Sequence, residues 1–155
     1  MVDRRDVADS GLPAPAIFAG AFLLGLLVNW IGPPASMSPA ARTLGWVLVL
    51  VGIAGIGVPA LIALRRAGTT PNPRRPTTAL VVTGPYRFTR HPIYLSMALV
   101  YAGAALAANT AWVLILLPVA MIVTERGPMA REEQYMEQKF GDAYRTYKAQ
   151  VRRWI

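Results

Sequence analysis

Between residues 92 and 124 no side chain carries a charge. At ~1.5 Å per residue, one straight helix of that run would far overshoot a ~30 Å bilayer core. Asn109-Thr110 is the natural turn within it. The run therefore predicts two apolar helices, 92–108 and 110–124, with Pro118 placed to kink the second. Two further segments are long and apolar enough to span. One is Ala14–Ile31, bounded by Pro13 and by Gly32-Pro33-Pro34. The other is 43–64, bounded by Arg42 and by Arg65-Arg66.

Composition agrees with a chain that lives in a bilayer. Of 155 residues, 54% are hydrophobic and 15% charged, against roughly 25% charged in ordinary soluble domains. A soluble globular domain and a disordered chain are both excluded. The reading is a single all-α integral membrane domain over residues 1–155, with four transmembrane helices and a cytoplasmic amphipathic helix at its carboxyl-terminal end. Residues 1–10 mix acids with arginines and no small-x-small cleavage site follows. The first segment thus reads as a span and not as a signal peptide. No cysteine is present, which removes disulfides and thiolate chemistry, and a single histidine, His91, removes any multi-histidine metal centre. No metal is expected. The basic side is nearly all arginine, which with abundant Ala, Gly and Pro reads as a GC-rich bacterial genome.

Charge placement sets the orientation. The loop 65–91 carries six arginines and no acid, and the tail 125–155 carries seven basic and five acidic residues. The turn at Asn109 carries none. By the positive-inside rule the loop and tail are cytoplasmic, and four spans put both termini there, in a bacterial inner membrane. Small residues mark close helix packing: Gly45 and Gly52, Ala98-x-x-x-Ala102 and Gly103-x-x-x-Ala107. Such spans permit a homodimer. The arginines of the loop suit anionic headgroups. No aromatic interleaving supports a nucleic-acid platform.

The chemistry-bearing residues collect on that same face. Thr77 to Val82 is apolar and β-branched, and Thr83-Gly84-Pro85-Tyr86 is a turn. Pro92 suits the first turn of the third span, because its missing N–H would be unpaired there. Arg90 and His91 then stand at a helix entrance whose free N–H groups favour an anion such as a carboxylate or phosphate. The plainer reading is an arginine reaching headgroups beside an interfacial histidine. In the tail, Gly127-Pro128 interrupts the fourth span. Met136, Phe140, Tyr144, Tyr147 and Val151 make one apolar stripe, read as packing. Glu132-Glu133 is either a solvated helix face or a functional pair held near the bilayer.

Two blocks together resemble the isoprenylcysteine carboxyl methyltransferase family and its phospholipid N-methyltransferase relatives. The first runs from Leu80-Val81-Val82-Thr83-Gly84-Pro85-Tyr86 to Arg90-His91-Pro92-Ile93-Tyr94. The second is Glu132-Glu133 followed by Phe140-Gly141-Asp142-Ala143-Tyr144-Arg145-Thr146-Tyr147. The resemblance covers about residues 78–155. It implies an integral-membrane enzyme that takes S-adenosylmethionine in a cytosolic pocket between the third-span entrance and the tail. A lipophilic small-molecule or lipid acceptor would reach that pocket from the bilayer. Carried over by position, Tyr86, His91, Pro92, Ile93, Tyr94 and Glu132 resemble cofactor-binding residues, with Leu80 and Val81 touching the cofactor through backbone. Pro128 occupies the position of the family's substrate-binding arginine, so Arg126 is expected as its substitute. Glu133 is the expected proton acceptor if the methyl goes to an amine. A nicotinamide-dependent membrane reductase and a non-catalytic accessory protein are the competing readings.

Overall fold

The computed structural model of the chain describes residues 11–33, 37–71 and 76–155. The charge cluster 1–10 and Arg74-Arg75, which the orientation reading uses, lie outside the described residues. Among the described residues every regular element is helical and there is no strand.

Helix α1 is Ala14–Ile31, with Pro15 in its first turn and Gly32 at its end, where the Gly32 N–H bonds Val28 O at 2.8 Å. Helix α2 is Pro39–Leu50. It starts earlier than the apolar pattern predicts because Ser38 caps it, its hydroxyl accepting from Ala41 N at 3.4 Å, and Pro39 fills the first helical position. The chain continues through a π-helical stretch, Val51–Gly57, into α3, Val58–Arg66. Pro59 has no N–H to give to the preceding turn, and the widened turn accommodates that loss. Ser96 Oγ donates to Gly52 O in the same stretch at 2.8 Å.

Helix α4 is Pro92–Ala107 and α5 is Ala111–Thr124, joined by a turn in which Asn109 takes φ 57°. A second π-helical stretch, Glu125–Met129, joins α5 to α6, Ala130–Phe140. The expected break at Gly127-Pro128 is therefore replaced by one continuous helix. The proline's missing hydrogen bond is absorbed by a wider turn, not by ending the helix. The break comes later, at Gly141 with φ 52°, before α7, Asp142–Gln150.

Among the described residues, three continuous helices are long and apolar enough to cross a membrane: Ala14–Ile31, Pro39–Arg66 and Ala111–Phe140. The apolar part of the last is α5; the charged residues begin at Glu125. Helix α4 is apolar but has 16 residues, just short of the roughly 17–25 that span unaided. It packs against α1, α2 and α5. Its contact with α2 is close. A methyl group on Gly45 would stand 2.6 Å from both Ala107 N and Gly103 O, so only a glycine there lets the two backbones meet. Phe18 and Phe22 of α1 meet Tyr101 edge-on at 6.0 and 5.3 Å, and Tyr101 Oη donates to Val113 O across to α5 at 2.9 Å. The outer faces are apolar. Trp30 is 83% exposed, and Leu23, Trp46, Leu50 and Ile115 project with it, an arrangement suited to lipid and not to water.

Candidate functional site

The site forms where the loop before α4, the start of α4, and helices α6 and α7 meet. Gly84, at φ 61°, turns the chain into a single 3-10 turn, Gly84–Arg87, that carries Tyr86. Thr89 then holds the helix entrance. Its hydroxyl donates to Arg153 O at 2.8 Å and accepts from His91 N at 3.2 Å. Arg90 N donates to Arg152 O at 3.0 Å, and Tyr147 Oη donates to Tyr86 O at 2.7 Å. The segment after α7 thus braces the loop from one side, and α7 from another.

His91 is the N-cap of α4, with Pro92 buried behind it at the first helical position. Its ring meets that of Tyr94 edge-on at 5.3 Å. Glu132 and Glu133 are adjacent on α6, so they point more than a quarter turn apart. Their fates differ accordingly. The Glu133 side chain is 5% exposed. Its Oε1 receives His91 Nε2 at 3.1 Å and Arg153 Nε at 2.9 Å, and its Oε2 receives Arg153 Nη2 at 2.7 Å. Arg90 Nη1 adds a charge 3.3 Å away. Burial alone would push this carboxyl upward; the His91 and Arg153 hydrogen bonds, with Arg90 beside them, outweigh it and hold it well below the usual carboxylate range. Arg153 also donates through Nη1 to Glu125 Oε1 at 2.8 Å, and Trp154 Nε1 donates to Glu125 Oε2 at 3.2 Å. Glu132 is 38% exposed and accepts from Tyr94 Oη at 3.0 Å.

In front of these residues lies a cavity of about 460 Å³, within the range of small-molecule and cofactor sites. Leu80, Val81, Tyr86, His91, Ile93, Tyr94 and Glu132 all line it. Pro92 does not; it is buried beneath His91. The two expected catalytic residues also stand apart from it. Glu133 lies behind the wall, bonded to His91. Arg126 is exposed and lines a separate depression with Ile122, Glu125, Ala130 and Arg153. Helical phase explains this, because Pro128 faces the cavity and Arg126, two residues earlier, turns away.

Several lining residues escape the sequence reading. Tyr144 and Tyr147, read as packing, wall the cavity, and burial raises both phenols, Tyr144 to about 12. Burial, then the Glu132 carboxylate, raises Tyr86 as well. Pro13 and Ala14 at the start of α1, Leu61 and Leu64 of α3, and Met97 add apolar lining. Arg90, read in the sequence as part of an anion site at the helix entrance or as an arginine reaching headgroups, lines the cavity with its side chain 9% exposed. Its Nη1 is ion-paired with Glu133 Oε1 at 3.3 Å, while its Nε is buried without a hydrogen-bond acceptor. An unmet guanidinium hydrogen is costly, and a carboxylate is a group that satisfies it. One cavity therefore offers a buried, ion-paired arginine with a hydrogen to spare, a half-exposed carboxylate, aromatic faces and apolar side chains.

The profile of the phospholipid methyltransferase family matches residues 40–143. An uncharacterized protein of Haemophilus influenzae is 40% identical over 65 residues, which is 41% of this chain and 100% of that protein.

Proposed function

The chain belongs to the phospholipid methyltransferase family, and on that premise we propose that its cavity binds S-adenosylmethionine and serves methyl transfer to a lipophilic acceptor. Members of this family are methyltransferases of membranes, and three apolar helices fit that setting. The observation that carries the cofactor reading is the presence in one cavity of Arg90, whose Nε has no acceptor, and the half-exposed Glu132. A zwitterionic amino acid needs one group of each sign. Arg90 and the α4 entrance would hold its carboxylate, and Glu132 its ammonium. Tyr86, Tyr94, Tyr144 and Tyr147 give aromatic faces for an adenine and a sulfonium. His91 and Ile93 complete the floor, with Leu80 and Val81 at the wall. When bound, the cofactor supplies an electrophilic methyl carbon on a sulfonium sulfur.

The apolar lining from Pro13, Ala14, Leu61 and Met97 supports an acceptor with a hydrocarbon tail. A lipid or a smaller prenyl-like acceptor suits it. Methyl transfer needs alignment and a site with little water, which the buried Val81, His91, Tyr144 and Tyr147 favour. In this reading all four apolar helices, α4 included, sit in a bacterial inner membrane, and the loop and tail face the cytoplasm.

The test is ligand binding to the detergent-purified protein. S-adenosylhomocysteine raises the melting temperature and NADPH does not. Glu132→Gln weakens that binding by about tenfold or more, the ~1.4 kcal/mol expected when a charge-assisted bond is lost. No stabilisation at saturating S-adenosylhomocysteine would refute the proposal.

A further inference from the structure

The placement of Glu133 raises the question of which group handles a proton in the cavity. An ionised carboxylate only accepts hydrogen bonds. Glu133 Oε1 lies 3.1 Å from His91 Nε2, so that ring nitrogen carries the hydrogen. The neutral imidazole then has a bare lone pair on Nδ1. That atom lies 3.9 Å from Glu132 Oε2, beyond hydrogen-bond range, and both residues line the cavity.

We propose that Glu133 fixes His91 in the tautomer with its hydrogen on Nε2, and that Nδ1 is the base that takes the proton from the methyl acceptor's nucleophile. The proposal rests on the methyltransferase reading and adds a division of labour to it. His91 is the catalytic residue, because it lines the cavity that would hold the reacting groups. Glu133 and Arg153 are positioning residues that act through it. A buried carboxylate that orients a histidine and stabilises its charged form is a recurring device of base catalysis. Here the carboxylate is itself gripped by both prongs of Arg153 and by the charge of Arg90, so it stays ionised and does not compete for the proton.

The step balances. The acceptor's N–H or O–H bond breaks and its proton goes to Nδ1. The electron pair left on nitrogen or oxygen forms the bond to the methyl carbon, as the carbon–sulfur pair returns to sulfur. The charged imidazole then sits between two carboxylates, Glu133 on one side and Glu132 on the other. It passes its proton to water at the half-exposed Glu132. Around His91 the charged and titratable groups are Arg90 from the preceding loop, Tyr94 from its own helix, Glu132 and Glu133 from α6, and Tyr144 and Tyr147 from α7 across the cavity. A carboxylate acceptor has no proton to give and would not use this base.

His91 is the single histidine of the chain, so NMR of isotope-labelled histidine nitrogens reads this one ring without assignment. The protein is studied in phosphatidylcholine nanodiscs, with and without S-adenosylhomocysteine. At neutral pH the expected spectrum shows a protonated Nε2 and an unprotonated Nδ1. Glu133→Gln, and separately Arg153→Gln should the first fail to fold, mixes the tautomers. Methyl transfer is followed with labelled S-adenosylmethionine on vesicles doped with phosphatidylethanolamine or with oleic acid. Transfer to the amine should fall about 10²–10⁴-fold in the variants, the range for loss of positioned base catalysis, while S-adenosylhomocysteine still binds. A wild-type spectrum with the hydrogen on Nδ1 overturns the proposal. So does transfer to oleic acid and not to the amine. If S-adenosylhomocysteine fails to bind the wild type, the underlying methyltransferase reading has failed instead.

Discussion

Replacing Arg153 with alanine tests whether the segment after α7 is a brace or a bystander. The guanidinium makes two charge-assisted bonds to Glu133, at 2.9 and 2.7 Å, and one to Glu125 at 2.8 Å. Orphaning a buried charge costs about 3–5 kcal/mol. Glu133 is not fully orphaned, because His91 and Arg90 remain beside it, which pulls the loss toward the lower end. The Glu125 pair is partly exposed on both sides and adds about 0–1 kcal/mol. The sum is about 3 kcal/mol. For a chain of this size each kcal/mol moves the melting temperature by roughly 2–4 °C. Arg153→Ala should therefore melt about 6–12 °C below wild type in detergent.

Two controls give that number meaning. The bonds from Arg90 N to Arg152 O and from Thr89 to Arg153 O use backbone oxygens of this segment, so the alanine variant keeps them. It should still bind S-adenosylhomocysteine. Arg153→Lys keeps the charge but cannot reach both carboxylates in the same forked way, and should recover about half the loss. A drop of under ~2 °C for Arg153→Ala would show that water satisfies Glu133 and that the buried network is not a brace. Equal damage from lysine and alanine would refute the role of charge.

Two other perturbations follow from the same geometry. Gly45→Ala puts a methyl 2.6 Å from two backbone atoms of α4 and should cost about 1–3 kcal/mol as α2 and α4 separate; Gly20→Ala, with nothing within 4 Å, should be neutral in the same thermal melt. Glu133 has a lowered folded-state pKa, so its contribution is complete above the ordinary carboxylate value of 4.5 and is lost as pH falls below it. Wild-type melting temperatures should fall below that pH, Glu133→Gln should flatten the fall, and an unchanged slope would contradict the assignment.

The apolar hairpin of α4 and α5 is legible because an uncharged run leaves no other place for its surface. The capped start at Ser38-Pro39 is legible too, once capping is weighed with hydropathy. The continuous helix through Gly127-Pro128 is not, because the same dipeptide ends an α-helix or widens it, and only packing around Met129 and Thr124, both fully buried, selects the second outcome. Glu132-Glu133 shows the same limit at the site. Sequence gives two adjacent carboxylates, but which one faces the cavity depends on the phase of α6, which the loop and α4 set from outside. Arg153 has no local signal at all, since its partners are 20 and 28 residues away.

The expectation that Pro128 stands where resembling methyltransferases carry an arginine gains its meaning from this phase. A residue at that position faces the cavity, and here it is buried and uncharged. Sequence proximity nominates Arg126, but two residues are about half a turn, and Arg126 is exposed and lines a separate depression. The cation that faces the cavity is instead Arg90, on a different element and held by Glu133. It reaches the cavity beside His91. Of the residues from Pro128 onward that line the cavity, Glu132 alone is charged, so the tail presents a carboxylate there and the loop before α4 presents the cation.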